Sequence, residues 1–129
     1  MYKIIMVVLI VIASLISTAY ADTKKWDKTE KIMAATYIVL HVADITQTLD
    51  GVSNYDLIEA NPVANWALEQ GGNAGLCLFG VATACGVLYM TDLIDNHKWR
   101  KWFLGGAMGL KVGVIINNHS LGCRVGGAF

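Results

Sequence analysis

Three long apolar runs constrain this chain more than any other feature: Ile32 to Leu49, Ala74 to Ile94 and Trp102 to Ile116. Each is close to the roughly 20 residues a helix needs to cross a bilayer's hydrocarbon. The composition points the same way. The chain is 55% hydrophobic and 16% charged, against about 25% charged in ordinary globular domains. Its 129 residues suffice for one compact domain. Ten basic and ten acidic side chains cancel, so no global field draws the chain to nucleic acid, which is excluded as a partner.

The chain opens with Lys3, runs uncharged from Ile4 to Ser17 and reaches Ala19-Tyr20-Ala21. A basic start, an apolar middle and small residues before a break are the parts of a secretory signal peptide cleaved after Ala21. The stretch Ile4 to Ala21 is also just long enough to stay as a membrane anchor. Residues 1–21 are therefore expected to be a signal peptide or a signal anchor, and 22–129 a single helical membrane domain. Cleavage would leave Lys24, Lys25, Lys28, Lys31, Lys98, Arg100 and Lys101 outside the cytoplasm, against the positive-inside preference. An uncleaved leader with its N terminus outside obeys that preference. The expected location is a bacterial inner membrane, with an exported soluble form as the alternative.

The expected fold class is all-α: a small helical membrane bundle of three apolar helices and a short interfacial or re-entrant helix. The first apolar helix should stop at Asp50-Gly51, glycine being a natural helix end. The linker Val52 to Gly72 contains "EANPVANWALEQGG". There Asn61 suits a cap, Pro62 a first turn and Gly71-Gly72 a stop, giving a short helix over about Pro62 to Gln70. Trp26, Trp99 and Trp102 flank the runs beside Lys and Arg, as interfacial anchors do.

Polar residues interrupt the apolar runs. On a helix His41, Asp44 and Thr48 share one face, extended a turn earlier by Tyr37. A carboxylate at the bilayer centre costs about 2.5–3.5 kcal/mol, so Asp44 should face the protein interior and find a partner. Lys111, inside "GGAMGLKVGVII", is the matching deep charge of the third run. The pair would specify helix register or line a polar cavity; alternatively Lys111 snorkels to the interface. If the first and third helices are parallel, His119, Asn117 and Asn118 fall at the same membrane end as Asp50, Glu59 and Asn61.

Gly105, Gly109 and Gly113 recur every four residues, a smooth stripe for a neighbouring helix or for self-association into a homo-oligomer. Membrane lipid is the other expected partner. Cys77, Cys85 and Cys123 form no disulfide framework. Cys77 and Cys85 would sit about 12 Å apart along one helix, too far to bond. The expected role of all three is small buried apolar residues. No metal motif with tight ligand spacing occurs, and no cofactor is expected. The chain has no GxSxG, and Ser53 and Ser120 have no evident base beside them.

"ADITQTLD" in a first membrane helix, followed by "EANPVANW" after a short loop, resembles small bacterial and phage membrane proteins of unknown function. Their shared pattern is an Asp and a Thr in one helix and then Glu-x-Asn-Pro. It falls here on Asp44, Thr48 or Thr46, Glu59, Asn61 and Pro62, and it implies a polar site without naming an activity. The candidate polar centre is thus His41, Asp44, Thr48, Glu59, Asn61, Lys111 and His119. The residues fit an integral membrane protein that acts by binding or assembly. They leave open a membrane-embedded enzyme or ion-binding protein using Asp44, Glu59 and the histidines, and a holin-like pore former.

Overall fold

The computed structural model describes residues 25–55, 59 and 61–125; the leader at 1–21 lies outside them. The described residues form three helices, α1 (Lys28–Asn54), α2 (Pro62–Asp92) and α3 (His97–Ser120). Each begins on a side chain that satisfies otherwise orphaned amides. Asp27 and Glu30 build a reciprocal capping box at α1. Asn61 accepts from the amides of Val63 and Ala64, and Pro62 occupies the first helical turn of α2. Asn96 does the same for Lys98 and Trp99 at α3.

Two boundaries differ from expectation. Helix α1 runs past Gly51 to Asn54 because the Asn54 side chain reaches back one turn to Asp50, at 2.7 Å, and the Gly51 carbonyl accepts from the Tyr55 amide. The short helix expected at 62–70 forms, but as the first limb of α2 rather than a separate element. The limbs meet at Gly72, whose backbone (φ 57°, ψ −148°) is non-helical and suits a residue without a Cβ. A Cβ on Gly75 would collide with the carbonyl oxygen of Ala67. Along a straight helix those residues would stand about 12 Å apart, so the chain doubles back at Gly72 into a helical hairpin. The second limb, 73–92, is about 30 Å long at 1.5 Å per residue.

Helix α1 packs most extensively against α3 and less against α2. The hydrogen bonds Glu30–His97 and Asp44–Lys111 both join residues 67 apart in sequence. That shared offset makes α1 and α3 parallel and in register over about 21 Å. Two apolar clusters hold the bundle. One, with Trp26, Tyr37, Ala84, Leu88 and Leu104, lies toward the starts of α1 and α3. The other, with Leu49, Ala64 and Leu76, lies toward the end of α1 and the hairpin of α2. At Gly80 a Cβ would run into the Ile45 side chain, so the glycine sets how closely α2 approaches α1.

Helices α1 and α2 are long and apolar enough to cross a membrane. The third run, expected as a span, falls outside that description, since its helix begins with "HKWRKW" and carries Lys111. The outward surface is apolar: Val39, Leu78, Tyr89, Leu110 and Ile116 are among the exposed large side chains. The glycine stripe also faces out. Gly109 and Gly113 have nothing within 4 Å of a would-be Cβ, and Gly105 meets only Met33 of α1. The stripe therefore does not pack on α2.

Candidate functional site

Tyr37, His41, Asp44, Thr48 and Gly51 follow helical spacing down one stripe of α1. Tyr37, His41 and Gly51 are buried, and Gln47 and Asp50 are buried alongside. Arg100, Leu104, Lys111 and Asn118 lie on the face of α3 that meets this stripe. The contact is polar along much of its length, inverting the usual pattern of a soluble bundle.

The centre is an ion pair. Lys111 Nζ donates to Asp44 Oδ2 at 2.5 Å, and Asn118 Nδ2 reaches Asp44 Oδ1 at 3.4 Å. The two charged side chains are 21% and 13% exposed, so solvent is largely excluded and the attraction is weakly screened. A turn earlier His41 Nε2 lies 2.8 Å from the Gly80 carbonyl of α2 and 3.2 Å from Thr83 Oγ1. A carbonyl only accepts, so in the neutral ring Nε2 carries the proton and Nδ1 is an acceptor. That Nδ1 is buried without a partner, as is Gln47 Oε1. The Tyr37 ring stacks on His41 with centroids 5.7 Å apart.

Asp50, near the end of α1, is only 2% exposed, because the tail folds back over it. Gly122 turns the chain with φ 94°, the left-handed conformation that commonly ends a helix. The Cys123 amide then donates to the Asn118 carbonyl at 3.0 Å and the Arg124 amide to Asp50 Oδ2 at 2.6 Å. Cys123 is buried and free, as Cys77 and Cys85 are free. Burial pushes the Cys123 thiol above its ordinary pKa, and the neighbouring Asp50 carboxylate adds to the effect.

Among the described residues, Glu59, Asn61 and His119 make no hydrogen bond or ion pair to Asp44 or Lys111. Thr48 is half-buried one turn beyond Asp44. Glu59 accepts from the Asn61 amide at 2.8 Å, and Asn61 spends its side-chain oxygen capping α2. His119 is exposed. Glu59 and His119 therefore form local contacts or face out, and among the described residues the tail meets Asp50 through the Arg124 amide.

A second polar network, at the starts of α1 and α3, is absent from the sequence reading. Glu30 is fully buried; it accepts from the Asp27 amide at 2.7 Å and meets His97 Nδ1 at 2.8 Å and Arg100 Nη1 at 3.8 Å. Arg100 also donates to the Lys25 carbonyl and lies over the Trp26 ring, whose indole N–H donates to Asp92. Lys101 pairs with Asp27 at 2.6 Å. This ammonium, and then the Glu30 amide, hold the Asp27 carboxyl below its ordinary value of 3.8. The available signal was "DKTE", a capping-box spacing. Asp27, Glu30 and His97 place ligand atoms within 4.8 Å of one another. Lys101 and Arg100 supply positive charge to the same carboxylates, and the contacts tie the starts of α1 and α3 together.

No curated protein and no solved structure matches the chain. Residues 35–123, from early in α1 to the tail turn behind α3, match a family described as a domain of unknown function, DUF5658. The match takes in Asp44, Lys111, Asn118 and Asp50, and it leaves the capping box of α1 outside. Spanning more than half of the chain and all three helices, it makes this protein a member of the DUF5658 family.

Proposed function

We propose that the protein is a small integral membrane protein, of bacterial or phage type, whose polar centre acts by binding or assembly rather than by catalysis. The observation that carries this reading is the Asp44–Lys111 pair, which sits inside a bundle whose outward faces are apolar. Only 28% of the most apolar stretch of α1 and 22% of that of α2 is buried within the protein. A core helix of a soluble protein would hide most of such a surface, whereas lipid covers it at no cost. Charged groups at such depth are expensive and mark functional sites by default.

Both Asp44 oxygens have donors, Lys111 and Asn118. A cationic or hydrogen-bond-donating partner would bind by replacing one of them, and the bare acceptors His41 Nδ1 and Gln47 Oε1 lie on the same helix to receive further donors. His41, Asp44, Thr48 and Lys111 are the residues of this centre; Glu59, Asn61 and His119 would serve it only at its rim.

Alkaline carbonate washing of membranes tests the location: the protein should stay in the pellet, and release into the wash would sink the membrane reading. A double-mutant cycle tests the centre. Asp44→Asn alone should destabilise the bundle by on the order of 3 kcal/mol by leaving Lys111 unpaired, and adding Lys111→Met should restore most of that. Loss of a bound partner in the refolded double variant supports binding; full retention of native behaviour would make the pair purely structural.

A further inference from the structure

The two ends of the bundle differ in charge and in how that charge is displayed. Lys25, Lys28, Lys31, Lys98, Arg100 and Lys101 all lie where α1 and α3 begin. Tertiary contacts join them into one plate: Arg100 to the Lys25 carbonyl, Lys101 to Asp27, and His97 to Glu30. The acids of this end are largely withdrawn. Glu30 is fully buried, Asp27 holds Lys101, and Asp92 accepts from Trp26, which leaves Asp95 exposed. Lys25, Lys28 and Lys98 remain exposed, as do the neighbouring Trp99 and Trp102 at 64% and 68%. At the opposite end the described charged groups are Asp50, Glu59, Glu69 and Arg124.

We infer that the basic plate seats on anionic phospholipid headgroups of the cytoplasmic leaflet, with the Glu59 loop and the tail at Arg124 on the far side of the membrane. This rests on the membrane reading above. Three physical effects agree. Lys and Arg are retained on the cytoplasmic side, exposed lysines at a leaflet surface attract acidic lipids, and tryptophans settle at headgroup level beside them. The buried Glu30 carboxylate faces the buried Arg100 guanidinium inside the bundle, so that the plate's outward charge comes from its exposed lysines. The lysines near α1 and those near α3 belong to one surface. They must face one leaflet together. This is the orientation that an uncleaved leader delivers.

The test uses the full chain with its three cysteines replaced by serine and one cysteine introduced by either Glu59→Cys or Asp95→Cys. In intact spheroplasts a membrane-impermeant maleimide should label the Glu59→Cys chain and reach the Asp95→Cys chain only after lysis. The reverse pattern would overturn the orientation, while carbonate extraction of both chains would instead defeat the membrane reading. For the lipid, the purified chain in phosphatidylcholine vesicles with and without phosphatidylglycerol should retain phosphatidylglycerol through detergent exchange, as read by native mass spectrometry. Lys28→Gln with Lys98→Gln should lower that retention severalfold with helix content unchanged by circular dichroism. Equal retention by the folded double variant would refute headgroup binding by the plate.

Discussion

Two acidic residues near the start of α1 show how burial decides what a charge is worth. Glu30 is completely buried against Arg100, itself 1% exposed. Removing it with Glu30→Ala leaves a buried guanidinium with less to bind, so the variant should lose about 3 kcal/mol of stability. Lys101 and Asp27 are each more than a third exposed, so solvent screens the pair and Lys101→Ala should cost only a small fraction of what Glu30→Ala costs. Thermal unfolding of the two variants in one detergent reads the difference, and a Lys101 effect as large as that of Glu30 would contradict it. Asp27 also sets a pH dependence. Its carboxyl is held below its ordinary value, first by Lys101, so the unfolded chain binds the proton at a higher pH than the native one. The stabilisation is complete above the unfolded value near 3.8 and disappears as pH falls through the lower native value. An unfolding profile recorded from neutral pH downward should therefore stay flat until about pH 4 as far as this group is concerned, and Asp27→Asn should remove its share of the acid-side slope. The capping oxygen survives in that variant, so the helix start persists.

Glycine in these helices has opposite meanings at different places. At Gly75 the Ala67 backbone occupies the space a Cβ would need, and backbone cannot move aside as a flexible side chain can. Gly75→Ala should open the α2 hairpin and free the 62–71 limb, which limited proteolysis would detect as new cleavage there. At Gly109 and Gly113 nothing lies within 4 Å, so Gly109→Ala should be neutral to mildly stabilising for the single chain, by up to about 1 kcal/mol of helix propensity. A loss of cross-linked dimer in Gly109→Leu without loss of the folded chain would assign the outward stripe to self-association. The short helix and its caps at Asn61 and Gly72 were legible in the sequence because capping is local chemistry. The reversal at Gly72 was not. Whether two limbs continue or fold back depends on what they pack against, here Leu49 and Ile45 of α1.

The described residues form a parallel pair, α1 and α3, backed by an antiparallel hairpin-bearing α2 and closed at one end by the turn at 121–125. That closure is testable. A chain ending at Leu121 would lose the Arg124 amide from Asp50 and uncover a carboxylate that is 2% exposed. It should be destabilised by about 1–3 kcal/mol, measured as a lower unfolding midpoint; an unchanged midpoint would show that the tail only rests on the surface. By itself the sequence determined the helical class, the near-bilayer lengths of the apolar runs, the starts at Asn61 and Pro62, and the presence of Asp44 and Lys111 as deep charges. These follow from hydropathy and nearest-neighbour backbone chemistry, which act within a few turns. The matching depths of Asp44 and Lys111 pointed to their pairing, which the structure bears out. Only the tertiary structure decided that Asn118 joins them, that Glu30 is a buried acid facing a buried guanidinium, that Asp50 lies under the tail, and that the glycine stripe faces outward. Each of these depends on the rotation and register of α3 against α1, which is set by contacts between residues 67 to 75 apart in sequence, beyond the reach of any local pattern.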